Sequence, residues 1–220
     1  MCGVFGFVGE SLNLRTLKRL ATETERRGRH AFGFAWVDQA DRIHAYRQAG
    51  KVSDHLGLLA MARGAKMLIG HCRFATDGDP SDNVNNHPHP CDGGWLVHNG
   101  VVANADALVA DHELVLQSEC DSEVLAALTE RADGDHVERC IRAAMEAQPD
   151  PLVTLTLWPR PARLVMVRRV NPLHWTQTKG GFYLASLSAG LATPRAEVTD
   201  YTATEFRFRK GHPKATMFGF

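Results

Sequence analysis

A cysteine stands at the second position, in the run Met1-Cys2-Gly3-Val4-Phe5-Gly6. A methionine followed by a small residue is the usual substrate for methionine removal, which would leave Cys2 with a free α-amino group. A thiol titrates near ~8.5 and an α-amino group at ~7.7–8.0, so the amine is partly neutral at physiological pH and can accept the thiol proton, directly or through water. One residue then supplies both nucleophile and base. Position alone does not decide the matter, because a cysteine before glycine also suits a buried core.

The residues such a nucleophile would need follow in order: Gly70-His71-Cys72-Arg73-Phe74-Ala75-Thr76-Asp77-Gly78, then Asn86-His87-Pro88-His89-Pro90, then His98-Asn99-Gly100, then Ser118-Glu119-Cys120-Asp121-Ser122-Glu123. Attack on the side-chain amide of an amino acid calls for a cation on the α-carboxylate, an anion on the α-ammonium and donors for the oxyanion. Arg73 can hold a carboxylate through its guanidinium fork, and Asp121 can hold an ammonium. The Asn99 amide and the Gly100 N–H can point at developing negative charge, with glycine letting the backbone come close.

Each of these residues has a plainer reading. Asp121 opens a predicted helix, where aspartate is favoured as a cap, and Asn99-Gly100 is an ordinary turn dipeptide. His71 and His98 at strand ends read as structural hydrogen-bonding histidines. Cys72, His87, His89, Cys91 and His98 have the chemistry of zinc ligands, but their spacing lacks a clean Cys-x-x-Cys pair. Cys72, Cys120 and Cys140 read as packing thiols.

The order and spacing resemble the class II, N-terminal nucleophile, glutamine amidotransferases, and most the glutaminase domain of glucosamine-6-phosphate synthases. The matching residues are Cys2-Gly3-Val4-Phe5-Gly6, Arg27-Gly28, His71 to Thr76, Asn86 to His89, His98-Asn99-Gly100 and Asp121-Ser122-Glu123. The resemblance covers roughly residues 2 to 190. It implies an α+β, four-layer αββα sandwich and hydrolysis of the glutamine side-chain amide through a Cys2 thioester, with Asn99 and Gly100 as the oxyanion hole. It implies a substrate-binding set of Arg73, Phe74 and Thr76 at the carboxylate end, Asp121 at the amino end, His87 beside the pocket and Arg27 on a loop near the nucleophile. Within the family the His-Pro-His run is accounted for without a metal, and the half-reaction needs no metal or organic cofactor. Three departures stand out: Arg29-His30 where an aromatic and an aspartate are usual, Phe74 for tryptophan, and Asp77 for histidine. No synthase region follows in the sequence, so a separate ammonia-accepting synthase or ligase is the expected partner. The alternatives are a stand-alone hydrolase of another γ-glutamyl amide and a non-catalytic module of the same fold.

The elements that must position these residues show in the periodicity. Residues 1 to 9, 32 to 37, 43 to 46, 67 to 73 and 95 to 98 read as strands, and Leu12 to Arg27 as an amphipathic helix stopped at Gly28. Residues 77 to 94, rich in Gly, Pro, Asn and Asp, read as one long loop. Helices are expected over 104–112, 122–132 and 135–147, and strands return at 152–158, 164–168 and 182–186. Phe206 and Phe208 alternate as an edge strand, with 205–220 an edge strand and tail of a single 220-residue domain. Formal net charge is zero, against the basic footprint of a nucleic-acid binder. No apolar run approaches the ~20 residues needed to span a bilayer, and no secretory signal is visible. A cytoplasmic location with five reduced thiols is the resulting expectation.

Overall fold

The computed structural model describes residues 2–209 and 211–220, so Met1, whose removal the chemistry of Cys2 invokes, lies outside the described residues. The chain runs β1 (Gly3–Gly9), α1 (Leu14–Glu25), β2 (Ala31–Val37), β3 (Ile43–Ala49), two short 3₁₀ turns at Val52–His55 and Leu58–Ala62, and β4 (Met67–Arg73). Next come β5 (His89–Cys91), β6 (Gly94–Gly100), α2 (Ala105–Asp111), α3 (Glu123–Arg131) and α4 (His136–Glu146). Strands then return as β7 (Leu152–Pro159), β8 (Ala162–Arg169), β9 (His174–Thr178), β10 (Gly181–Ala185), β11 (Ala196–Glu197), β12 (Thr202–Arg209) and β13 (His212–Gly219).

Two sheets result, ordered β11-β9-β10-β1-β4-β2-β3 and β13-β12-β8-β7-β6-β5. The paired strands are antiparallel throughout; β1 lies between β10 (Phe5 opposite Ala185) and β4 (Phe5 opposite Gly70). Strand alternation assigns each side chain to a layer. Phe5 and Phe7 pack with Leu17, Leu20 and Ala21 of α1. Val4 and Val8 face the other way, into a core shared with Ile69, Val97, Val153, Leu155 and Phe206. On the far side of the second sheet, Leu96, Val165 and Val167 meet Val124, Leu128, Val137 and Cys140 of α3 and α4. This is the four-layer αββα sandwich. Each fully buried Phe or Leu contributes about 1.5–3 kcal/mol of apolar burial.

The helices start where local chemistry dictates. Asn13 accepts the Thr16 N–H at the head of α1, and Asp135 and Glu138 form a reciprocal capping box at α4. Among the described residues no helix is long and apolar enough to cross a membrane.

The structure departs from the sequence reading at sheet edges. The stretch 77–94 is not all loop: His89–Cys91 forms β5, with His89 opposite Leu96 of β6. Pro90 is tolerated there because β5 is an edge strand. β12, carrying Phe206, lies between β8 and β13, so the edge falls to the largely exposed β13.

Candidate active site

Cys2 lies just before β1, where the chain emerges from the middle of the first sheet. Its Sγ contacts the backbone at the end of β4, accepting the Phe74 N–H at 3.3 Å and reaching the Phe74 carbonyl at 3.4 Å. Arg27 donates its Nε–H to the Cys2 carbonyl at 2.6 Å. Gly28 has no room for a side chain, because a Cβ there would sit 2.4 Å from the Arg73 carbonyl carbon and 2.6 Å from the Phe74 nitrogen. The Arg27-Gly28 pair therefore presses the turn after α1 onto the strand end that carries Arg73 and Phe74. Burial pushes the Cys2 thiol up, and the Phe74 N–H and the Arg73 guanidinium partly oppose that rise.

Across from Cys2 stands the end of β6 in the second sheet. Cys2, Phe74, Thr76, Asn99, Gly100, Pro149 and Pro151 share a cavity of about 230 Å³. Asn99 is 1% exposed, yet neither its Nδ2 nor its Oδ1 has a hydrogen-bond partner. An unmade buried bond costs about 1–3 kcal/mol, so this amide is held ready for a group entering the cleft. Gly100 is fixed by crowding, since a Cβ would lie 2.5 Å from His98 Nε2 and 2.7 Å from the Pro151 carbonyl.

Asp121 lines a neighbouring cavity of about 420 Å³, which shares Val101 as a wall with the first. It does not cap α3. The N-cap residue is Ser122, and Asp121 instead accepts the Val102 N–H at 2.6 Å and the Ser122 hydroxyl at 3.1 Å. The stronger claim on the carboxylate is the chain just beyond the Asn99-Gly100 corner, which it ties to the start of α3. The Cys2 thiol feels Arg73 and Asp121 as opposing charges.

Arg73 is 3% exposed and lies outside the residues lining the two cavities. Its guanidinium donates to Asn86 Oδ1 at 2.9 Å, to the Asp77 carbonyl and to the Gly78 carbonyl at 3.2 Å. His87 is buried, its ring stacked on His71 with centroids 3.9 Å apart; it lies outside the residues lining the two cavities. His98 donates to or accepts from the Ser122 hydroxyl through Nδ1 at 2.8 Å, and burial draws its pKa down to about 4. The zinc-type set named from sequence is not brought together as such: the Cys72 thiol reaches the Ala21 carbonyl and the Cys91 thiol the Ala126 carbonyl.

Two positioning residues were missed in the sequence. Asn171 donates from Nδ2 to the Asn99 carbonyl at 2.8 Å and to the Pro151 carbonyl at 3.0 Å, bracing the Asn99-Gly100 corner. Its signal was the Asn171-Pro172 turn dipeptide after β8. His30, from the atypical Arg29-His30 pair, accepts the Ala75 N–H at 3.0 Å and lies 4.8 Å from the Phe74 ring. It thus holds the Phe74-Ala75 backbone beside the nucleophile.

No family model matches the sequence. The chain is 34% identical over 193 residues to the glutamine–fructose-6-phosphate aminotransferase [isomerizing] of Symbiobacterium thermophilum, covering 84% of this chain and 31% of that protein. The namesake of Chlorobaculum tepidum is 33% identical over 207 residues, covering 86% and 33%. The chain thus spans about a third of the length of these curated relatives. Among solved structures, the glutamine phosphoribosylpyrophosphate amidotransferase of B. subtilis superposes with a TM-score of 0.79 at 21% identity, over 98% of this chain and 49% of the other. A glutamine aminotransferase class-II domain protein from silicibacter pomeroyi superposes at 0.67 with 16% identity over the whole of both chains. With the motif order and the two-sheet site, these relatives establish that the chain belongs to the class II, N-terminal nucleophile, glutamine amidotransferases.

Proposed function

We propose that the chain hydrolyses the side-chain amide of glutamine, working as one glutaminase unit. The observation that carries this reading is the buried, unpartnered Asn99 amide in the same cavity as the Cys2 thiol. Once Met1 is removed, the α-amine of Cys2 takes the thiol proton as Sγ attacks the carboxamide carbon. Negative charge on the carbonyl oxygen is met by Asn99 Nδ2–H and Gly100 N–H. Collapse of the tetrahedral adduct, with the proton returned to nitrogen, expels ammonia and leaves a γ-glutamyl thioester. Water then attacks the thioester with the same amine as base, releasing glutamate and restoring the thiol. Arg73 and Thr76 take the α-carboxylate end and Asp121 the α-ammonium, while Phe74 and Arg27 hold the walls of the cleft around Cys2. His87 supports the pocket from beneath, through the buried layer that includes His71.

The ammonia goes to a synthase or ligase outside these 220 residues, carried by a separate protein. The relatives are glutamine–fructose-6-phosphate aminotransferases [isomerizing], which illustrates the kind of acceptor chemistry such a unit can feed. The test is glutamate release from glutamine by the purified chain, with intact mass confirming the loss of Met1. Cys2→Ala should abolish release, and a glutamine-analogue electrophile should label Cys2 alone. Release that survives Cys2→Ala, or an active chain that retains Met1, would overturn the reading. Co-purification of an acceptor enzyme that raises glutaminase turnover tests the partner.

A further inference from the structure

One buried cluster contains no group that touches the reacting atoms in the chemistry above, and only His87 of it has a supporting place there. His87 and His89 are 2% and 1% exposed, and both ring nitrogens of His87 and Nε2 of His89 lack a hydrogen-bond partner. The Cys120 thiol, on the loop before α3, faces them: the three ligand atoms lie within 4.8 Å of one another. Buried imidazoles normally find donors or acceptors; here each neutral ring has one unprotonated nitrogen, so His87 and His89 can offer one lone pair each beside the Cys120 sulfur. Burial disfavours the imidazolium form of both rings, to about 3 for His89, which leaves those lone pairs available.

We propose that His87, His89 and Cys120 form a site for a soft divalent cation of the zinc type. Two imidazole nitrogens and a thiolate suit that ion, at roughly 2.0–2.1 Å for nitrogen and 2.3 Å for sulfur around a tetrahedral centre with a fourth position open. Those radii put neighbouring ligand atoms roughly 3.3–3.7 Å apart, so the cluster closes by about an ångström on binding, within the reach of side-chain rotation. The ion displaces the Cys120 proton, which leaves to solvent. Cys120 also lines the 420 Å³ cavity, whose wall includes the carboxylates Asp77, Asp106, Glu119 and Asp121. That cavity gives the cation a negatively charged entry route. The Cys120 sulfur is 3.8 Å from Asp121 Oδ1. A bound dication therefore opposes any ammonium held by Asp121, so zinc raises KM for glutamine; this consequence rests on the proposed function, whereas binding itself does not.

The test uses the full chain stripped with a chelator and titrated with Co²⁺ as a spectroscopic probe and Zn²⁺ for stoichiometry. One equivalent of metal with a thiolate-to-cobalt charge-transfer band is expected. Affinity should fall at least tenfold in Cys120→Ser and in His89→Gln and persist in Cys2→Ala, with circular dichroism verifying that each variant is folded. Absence of the band, or a band that survives Cys120→Ser and disappears in Cys2→Ala, overturns the site, because the metal would then sit on the nucleophile. In the activity arm, Zn²⁺ should raise KM for glutamine at least fivefold in the wild type and leave Cys120→Ser unaffected. A chain that binds metal but does not turn over glutamine refutes the proposed function and keeps the site.

Discussion

Replacing Asn99 with alanine should move activity and stability in different directions. If the Asn99 amide stabilises the oxyanion, its loss removes one donor from the transition state, worth about 2.7–4 kcal/mol, so kcat falls ~10²–10³-fold. The folded protein loses little, because neither amide atom is hydrogen-bonded. Relieving a buried unsatisfied amide returns about 1–3 kcal/mol, offset by roughly 1 kcal/mol for the small void. The backbone carbonyl of residue 99 still accepts from Asn171, so the corner keeps its brace. For a domain of this size 1 kcal/mol moves Tm by about 2–4 °C, so the variant should melt at the wild-type temperature or a few degrees above it. Steady-state glutamate release and a calorimetric melt on one preparation suffice. A kcat within tenfold of wild type would show that the amide is not the donor. A melting temperature lowered by more than about 4 °C would show that it holds the fold together instead.

Asn171→Ala removes the donor from the buried Asn99 carbonyl and from the part-buried Pro151 carbonyl and should cost about 1–3 kcal/mol of stability; kcat should fall with KM nearly unchanged, measured by chemical denaturation and steady-state kinetics. Arg73→Lys keeps the charge but loses the fork that spans Asn86, Asp77 and Gly78. KM for glutamine should rise ~10–100-fold, the worth of one charge-assisted hydrogen bond, with kcat within a few-fold, read by steady-state kinetics. The raised Cys2 thiol sets the sign of its pH dependence: a pKa above the ordinary 9.0 means less thiolate at neutral pH than a free thiol has. Iodoacetamide labelling of Cys2, followed by mass spectrometry, should therefore accelerate continuously past pH 9; a plateau below pH 8 would contradict it.

The legible parts of the chain were those where side-chain chemistry and backbone geometry coincide. Alternation in Gly3 to Gly9 marked β1 because small and large residues face opposite layers there. The amphipathic spacing of Leu17, Leu20 and Ala21 marked α1 for the same reason. Cys2, Thr76, Asn99 and Gly100 were named from type and order and share one cavity. What stayed hidden depends on pairing partners far away in sequence. The short β5 contains a proline and is defined by its register with β6. β9, a polar run, is a strand because β10 and β11 flank it. Asn171 is separated from Asn99 by 72 positions, so nothing local could reveal that its amide holds the Asn99 carbonyl. The apparent helix-capping role of Asp121 failed similarly, since the N–H it accepts belongs to Val102, two residues past the end of β6 that carries Asn99 and Gly100.

If Cys2 is the nucleophile, the division of labour between strand interiors and strand ends accounts for how residue 2 is held in place for that role. A terminal residue usually frays, because few contacts hold it. Here β1 is hydrogen-bonded on both sides, by β4 and β10, and Val4 donates its N–H to the buried Ser186 hydroxyl at 3.0 Å. Cys2 therefore inherits the rigidity of the most enclosed strand in the first sheet while its sulfur stands at the strand's open end. Asn99 and Gly100 occupy the equivalent place on β6 in the facing sheet, and the shared core of Val4, Val97 and Val153 sets the separation between the two ends. In the proposed reaction the nucleophile and the oxyanion donors come from different sheets, so the packing between the sheets would itself be a catalytic parameter. An overpacking change such as Val97→Phe should then lower kcat more than a change of equal thermodynamic cost in the outer layer, such as Leu128→Ala. Equal losses of kcat at equal loss of stability would refute that coupling.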